Sequence, residues 1–382
     1  MSEIENRSEI VFLYDVSDAN PNGDPIDEDK PRIDQQTDLN IVTDVRLKRT
    51  IRDYLRDFRD QNIFIQSEKV VEDGEELLKS RVNKLEDELK KLIEQTDKFR
   101  EEEKENLKGN LHNILGQKKK KEFKKQFLNC IDGDREDSDK KELLDKFAEL
   151  RTTSLKTQVL SYFIDMRLFG ATLAVKNLNL QQTGPTQFKF GRSLHKVDYD
   201  FYKGSITMPV EAGDGKEKGK TQAEFSQEYR LPYSLIGFYG IVNENAAKYT
   251  GLEEEDVDLL MDGIWNGTKN LITRSKVGQV PRFLMRVVYE EDNYHIGDLD
   301  KKIKMVNEDG EELDEEEQKK IRSVDDYILD IDRLMKALEE NEDSIKKIDL
   351  KYDSSLNFDI PDDQRVDQYI DDKGLEVNNL DL

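Results

Sequence analysis

The chain reads as an α+β protein carrying a helical insertion, and three observations predict this. Runs of strand formers stand at Ile10-Val11-Phe12-Leu13-Tyr14 and from Phe283 to Tyr289. Apolar residues recur at helical spacing after Thr43 and again from Leu252 to Ile272, a stretch that contains Trp265. Between these lies a Glu- and Lys-dominated segment whose Leu77, Leu78, Val82, Leu85, Leu89, Leu92 and Ile93 also keep helical spacing.

Taken in order, the first region (1–69) reads strand, loop, helix, strand. The loop Asn20-Pro21-Asn22-Gly23-Asp24-Pro25 is rich in turn formers. Thr43 or Asp44 can cap the following helix, and Asp44 suits its positive end. Leu47, Ile51, Tyr54, Leu55 and Phe58 form one apolar stripe; Arg46, Lys48, Arg49, Arg52, Arg56 and Arg59 are expected on the opposite arc. Ile63-Phe64-Ile65 reads as a second strand. The second region (70–150) is the helical insertion, with breaks expected near Gly116 or Asp132-Gly133. The third (151–295) reads as the rest of the core, with strand formers from Tyr162 to Val175 around Gly170. The fourth (296–382) is an acidic extension in which Ile328, Ile331, Leu334 and Leu338 predict one more amphipathic helix, followed by a mobile end.

Several of these strings together resemble a known family. "DANPNGDP", "KPRID" and "VTDVRLKRTIRDYL" open the chain; "IDMRLFGATLAV" (164–175), "TGPTQFKFGRSLHKV" (183–197), "YRLPYSLIGFYGIVN" (229–243) and "TRSKVGQVPRFLMRVVY" (273–289) follow. In order and spacing they are similar to the Csd/Csh-type repeated subunit that forms the backbone of type I CRISPR Cascade complexes, within the RAMP superfamily. The large insertion favours type I-B over I-C. The resemblance implies an RRM-like ferredoxin core with a helical insertion and a thumb-like β-hairpin. It also implies a non-enzymatic subunit without cofactors that polymerises head-to-tail with copies of itself along a guide RNA (crRNA). Such a subunit would present the bases to target DNA beside other Cascade subunits, in the cytoplasm.

Composition limits the alternatives. Charged residues make up 38% of the chain and no apolar run is long enough to cross a membrane. The N-terminal residues lack the apolar core of a signal peptide, so none is expected. The lone Cys130 excludes an intrachain disulfide and a multi-cysteine metal site. The net charge of −24 argues against nucleic acid at first sight. Its distribution reverses that judgement. Residues 296–382 hold 28 Asp plus Glu against 13 Lys plus Arg, a net of −15, whereas residues 151–295 hold 18 of each sign.

The candidate RNA-binding residues are Arg32, Arg46, Lys48, Arg49, Arg52, Arg274 and Lys276. Arginine offers phosphate a planar donor fork and lysine a compact charge. The resemblance implies that Lys48, Arg49 and Arg52 face the RNA backbone and that Arg32 is the second arginine of an Arg-Pro-Arg motif, with Lys30 in the first place. A solubilised helix face is the alternative for the helix, and a core-framing loop for Arg274 to Arg282. The hairpin 205–229 is the candidate thumb, with Met208 as a wedge and Lys216, Lys218 and Lys220 at its tip; an ordinary hairpin tip is the alternative. Lys118, Lys119, Lys120 and Lys121 are a candidate DNA contact or a solvated face.

Catalytic signals are sparse. His112, His195 and His295 have no partner at metal-ligand spacing. Asp15, Asp18, Asp24 and Asp27 could hold Mg²⁺ or act as acid–base groups, as in a RAMP endoribonuclease, but Asp is also an ordinary turn residue. An acidic protein-interaction scaffold is the third reading.

Overall fold

The computed structural model describes residues 4–65, 91, 101–102, 104–105, 107–109, 160, 162–175, 178–205, 225–361 and 364–382. Strands β1 (Ser8–Ala19), β2 (Gly23–Asp24), β3 (Lys30–Pro31) and β4 (Leu39–Val42) precede helix α1 (Asp44–Arg59). Helix α2 (Ile164–Phe169) leads into β5 (Gly170–Val175), β6 (Leu178–Thr183), β7 (Thr186–Phe188), β8 (Gly191–Lys196), β9 (Asp200–Ser205) and β10 (Phe225–Val242). Helices α3 (Glu244–Thr250) and α4 (Glu254–Lys269) separate β10 from β11 (Gln279–Tyr289). The chain closes with β12 (Lys304–Val306), α5 (Glu315–Lys320), β13 (Ile328–Asp330), α6 (Asp332–Glu339), β14 (Ile345–Tyr352), α7 (Val366–Asp371) and β15 (Val377–Asn379). The α+β expectation stands. Two compact units divide it, one of residues 1–59, 186–244 and 257–382, the other of 60–185 and 245–256.

The first unit is built on a nine-stranded sheet whose main path runs β15-β14-β11-β1-β10-β8-β4. β1 lies between β10 and β11 and is antiparallel to both, with Phe12 opposite Phe238 on one side and Leu284 on the other. The continuous apolar run of β1 now has its reason, because both of its faces are buried. Val11 and Leu13 enter a cluster with Leu299, Tyr327, Leu334 and Ile348 of the C-terminal segment. Ile10, Phe12 and Tyr14 point the other way and are equally covered. Helices α1 and α4 approach closely through glycine. A Cβ on Gly263 would meet Ile51 Cγ2 at 2.9 Å, and one on Gly267 would meet Tyr54 Cβ at 3.1 Å.

The C-terminal segment departs from expectation. Ile328 belongs to strand β13, not to the helix, which starts only at Asp332. Nor is the chain end loose. β15 pairs in parallel with β14, and Val366, Ile370 and Leu375 are buried in the same cluster as the central strands. Its many carboxylates hid a sparse apolar set that only the sheet face assembles.

In the second unit, residues 63–65 do not form the expected strand. The Phe64 and Ile65 amides donate to the Asp165 carboxylate at 2.8 and 3.1 Å, which replaces a strand ladder as their partner. The strand-rich stretch after Tyr162 splits at Gly170, whose φ of +68° ends α2 and starts β5. A Cβ there would lie 2.2 Å from Gln182 O, so the β5–β6 hairpin closes only over glycine. Arg167 and Asp256 pair at 2.6 Å within this unit.

Candidate nucleic-acid interface

The N-terminal loop folds as its turn residues dictate. Asn22 Oδ1 accepts from both the amide and the hydroxyl of Thr43 at 2.9 Å, and Thr43 Oγ1 in turn accepts from the Arg46 amide at 3.3 Å. The loop is thereby tied to the capped start of α1. Gly23 is required by close approach, since a Cβ would stand 2.8 Å from Asp29 O. Asn20 anchors the other side. Its amide N–H donates to Ser275 O at 2.8 Å, its Nδ2 donates to Asp29 O at 2.6 Å, and its carbonyl accepts from Lys276 Nζ at 3.2 Å.

These ties bring segments distant in sequence around a cleft of about 500 Å³, lined by Asn20, Arg46, Tyr229, Arg230, Arg274 and Lys276 among others. Arg46 comes from the first turn of α1, Arg230 from β10, and Arg274 and Lys276 from the α4–β11 loop. Arg46 Nη2 donates to Thr50 Oγ1 at 2.9 Å, and among the described residues it has no ion pair. Burial lowers the Arg46 guanidinium from its usual value. Burial, and then the charge of Arg46, lower the Lys276 ammonium. Two like charges so placed favour the arrival of an anion. Arg230 and Arg274 share Glu228, at 2.9 and 2.6 Å, while the Arg274 side chain stays 73% exposed. Glu28 and Asp29 also line the cleft, so its balance is four cations to three carboxylates.

A second cleft, of about 1050 Å³, lies along the same loop and holds Lys30, Arg32 and Arg192 beside Phe190 and Tyr199. Each of its cations is paired: Arg32 with Asp24 at 2.9 Å, Lys30 with Asp27 at 2.7 Å, and Arg192 with Asp34 at 2.9 Å.

The cations of α1 do not share one open arc. Arg52 is buried, on the side of Ile51 and Leu55, whereas Phe58 is 56% exposed and stacks on Tyr54. The expected places of Arg52 on the open arc and of Phe58 on the packed stripe are thus corrected. Position 52 flanks the packed stripe, and the helix outruns its packing near position 58. The others pair locally: Lys48 with Asp44 at 2.9 Å, Arg49 with Asp53 at 2.8 Å, and Arg56 with Asp53 and Asp57 at 3.1 and 2.6 Å. Arg59 reaches Asp262 of α4 at 2.5 Å. Lys48 also donates to Gln187 Oε1 at 3.3 Å.

The described arms of the hairpin pair from Asp200↔Arg230 to Ser205↔Phe225, and Tyr199, Phe201 and Tyr202 are exposed beside them. Met208, Lys216, Lys218 and Lys220 lie outside the described residues, as do Lys118, Lys119, Lys120 and Lys121. His195 is a satisfied core residue. Its Nε2 accepts from the Leu235 amide at 3.2 Å, and burial brings it down to about 4. Asp15 is buried in β1 and accepts from Tyr233 and from Arg282, each at 2.8 Å. Asp24 and Asp27 sit in the ion pairs above. Asn20 and Asn22 were visible in the sequence only as turn residues, and Arg230 only within a family-like string. Nothing local marked them as neighbours of Arg46.

With this geometry in hand, comparison with known proteins decides the family. A family model described as "CRISPR-associated protein Cas7" matches residues 6–332. The chain belongs to the Cas7 family. A relative from Haloferax volcanii, itself a CRISPR-associated protein Cas7, is 29% identical over 398 aligned residues, covering 99% of this chain and 97% of the relative. Among solved structures, a chain of a "CRISPR RNA-guided surveillance complex, pre-nicking" aligns over 98% of this chain and 96% of its own, with 11% identity and a TM-score of 0.48. A chain of a "CRISPR RNA-guided surveillance complex" aligns over 96% and 99%, with 12% identity and a TM-score of 0.40. Cas7 membership bears out the resemblance carried by the sequence strings.

Proposed function

We propose that this Cas7-family protein is a non-catalytic, crRNA-binding backbone subunit of a type I Cascade complex. The observation that carries the reading is the convergence of Arg46, Arg230, Arg274 and Lys276 on one cleft in a chain whose net charge is −24. Cations gathered from three separate elements against the overall charge suit a polyanion held by its phosphates, with bases left free for pairing. Copies of the chain would follow one another head-to-tail along the RNA in the cytoplasm, through heterologous contacts, together with target DNA and other subunits. The order β11-β1-β10-β8, with helices in the β1–β8 and β10–β11 connections, supports an RRM-like core. On this reading residues 70–150 are an insertion and 205–229 the thumb.

The test begins with the absorbance ratio of the purified full chain and sequencing of any RNA that co-purifies. Repeat-derived RNA of uniform length is expected. Deleting residues 213–220 should leave the melting temperature of the monomer within about 2 °C while shortening RNA-dependent oligomers seen by electron microscopy, because on this reading they serve contacts to RNA and the next copy and not the core. Nucleic-acid-free protein that ignores added repeat RNA would overturn the reading.

A further inference from the structure

Two residues that line the 500 Å³ cleft each carry a buried polar atom with no hydrogen-bond partner among the described residues. Asn20 is 7% exposed, and among the described residues its Oδ1 has no hydrogen-bond partner. The Arg46 Nε is likewise buried without one among those residues. The Asn20 amide orientation follows from its own contacts, because Nδ2 donates to Asp29 O at 2.6 Å and Oδ1 therefore faces the other way. An unsatisfied buried acceptor and an unsatisfied buried donor on residues that line one cleft call for a ligand that supplies both functions.

A nucleic-acid phosphate meets only half of that demand. At neutral pH the diester has acceptor oxygens and no proton, so it can satisfy Arg46 and Lys276 but not Asn20. Deoxyribose adds no donor. The ribose 2′-hydroxyl is both donor and acceptor and lies within one nucleotide of the phosphate. On the protein, Lys276 is held at the same residue, its Nζ bonding the backbone carbonyl of Asn20 at 3.2 Å.

We propose that Asn20 selects RNA over DNA by accepting the proton of a ribose 2′-hydroxyl, while Arg46 and Lys276 hold the adjoining phosphate. This rests on the RNA-binding reading above and adds to it the group that is read. The N–H groups of a base are the other donors that RNA could offer. Their counterparts are present in DNA as well, so they predict no dependence on the 2′ position.

The test is a cycle of two proteins and two probes. RNA-stripped full chain and its Asn20→Ala variant are titrated by fluorescence anisotropy with a single-stranded oligoribonucleotide and with its 2′-fluoro counterpart. The fluoro probe keeps an RNA-like sugar and removes the donor. The native chain should bind the ribo probe at least ~5-fold more tightly, the worth of about one hydrogen bond. In Asn20→Ala that preference should shrink below ~2-fold, the signature of a coupled pair. Asn20→Ser, whose single short hydroxyl cannot serve both Asp29 O and a 2′-hydroxyl as the two ends of the amide do, serves if the alanine variant fails to fold. Arg46→Ala should weaken both probes alike and leave the ratio standing. A native chain that binds both probes equally overturns the assignment while leaving RNA binding intact. So does a folded Asn20 variant with undiminished preference. Failure to bind either probe sinks the functional reading and this one with it.

Discussion

The outer face of α1 and the floor of the 500 Å³ cleft carry the same residue types in opposite electrostatic states. On the helix face, Arg49 and Arg56 share Asp53, Arg56 also holds Asp57, and Lys48 holds Asp44. In the cleft, Arg46 bonds a hydroxyl, and Lys276 bonds the Asn20 carbonyl and the Ser275 hydroxyl. On the helix Arg49 and Arg56 are part-exposed, and all three cations are neutralised within a turn or so of chain. Arg46 and Lys276 are half-buried, and Arg46 helps to depress Lys276. An exposed ion pair contributes little and is screened by salt, whereas a phosphate entering a partly desolvated cationic site gains charge-assisted hydrogen bonds. Counting cations therefore misplaces the binding surface. What matters is where cations gather and that two of those in the cleft, Arg46 and Lys276, hold no carboxylate among the described residues.

The largest effect should come from reversing charge in the cleft. Arg46→Glu with Lys276→Glu should weaken RNA binding by at least ~100-fold, given about 1.5–3 kcal/mol for each lost bond to a charged group. Arg49→Glu with Arg56→Glu should cost about 10-fold or less, since an exposed pair is worth about 1 kcal/mol at most. Anisotropy titrations of the native chain and the two double variants at one salt concentration would break the comparison if the helix variant proved the weaker binder.

A smaller effect is expected from alkali. Because the folded-state Lys276 value lies below the usual lysine one, its charge is present at low pH and is lost as pH rises through that lowered value. RNA affinity should start to fall below the pH at which an ordinary lysine titrates. Lys276→Arg should remove that loss, since a guanidinium stays charged. Identical pH profiles for the two proteins would exclude Lys276 from the contact.

The smallest effect asks whether pairing is what silences the helix. Asp53→Asn leaves Arg49 and Arg56 with one carboxylate fewer, and should raise RNA affinity by about 2- to 3-fold, with a slightly steeper salt dependence. An affinity that stays flat or falls would mean that the outer face of α1 stands away from the RNA altogether.

Much of the frame could be read locally. The run of β1, the stripe Leu47–Ile51–Tyr54–Leu55 and the Asn-Gly loop are patterns among sequence neighbours, and they appear as read. The misreadings share a cause. Ile63-Phe64-Ile65 looks like a strand until Asp165 takes two of its amides. The tail looks soluble and loose until β15 finds β14. Arg52 looks exposed until the fold covers its flank of the helix.

Turn chemistry, helical period and the family strings thus determined by themselves that this is an α+β chain of the Cas7 kind with a loop-capped basic helix. Those properties depend on residues within a few positions of one another. Only the tertiary structure decided that Glu228 would occupy Arg230 and Arg274, that Asp262 would take Arg59, and that Asn20, Arg46 and Lys276 would meet with polar atoms to spare. Charge pairing and burial depend on distance through space, and chain order does not carry that distance.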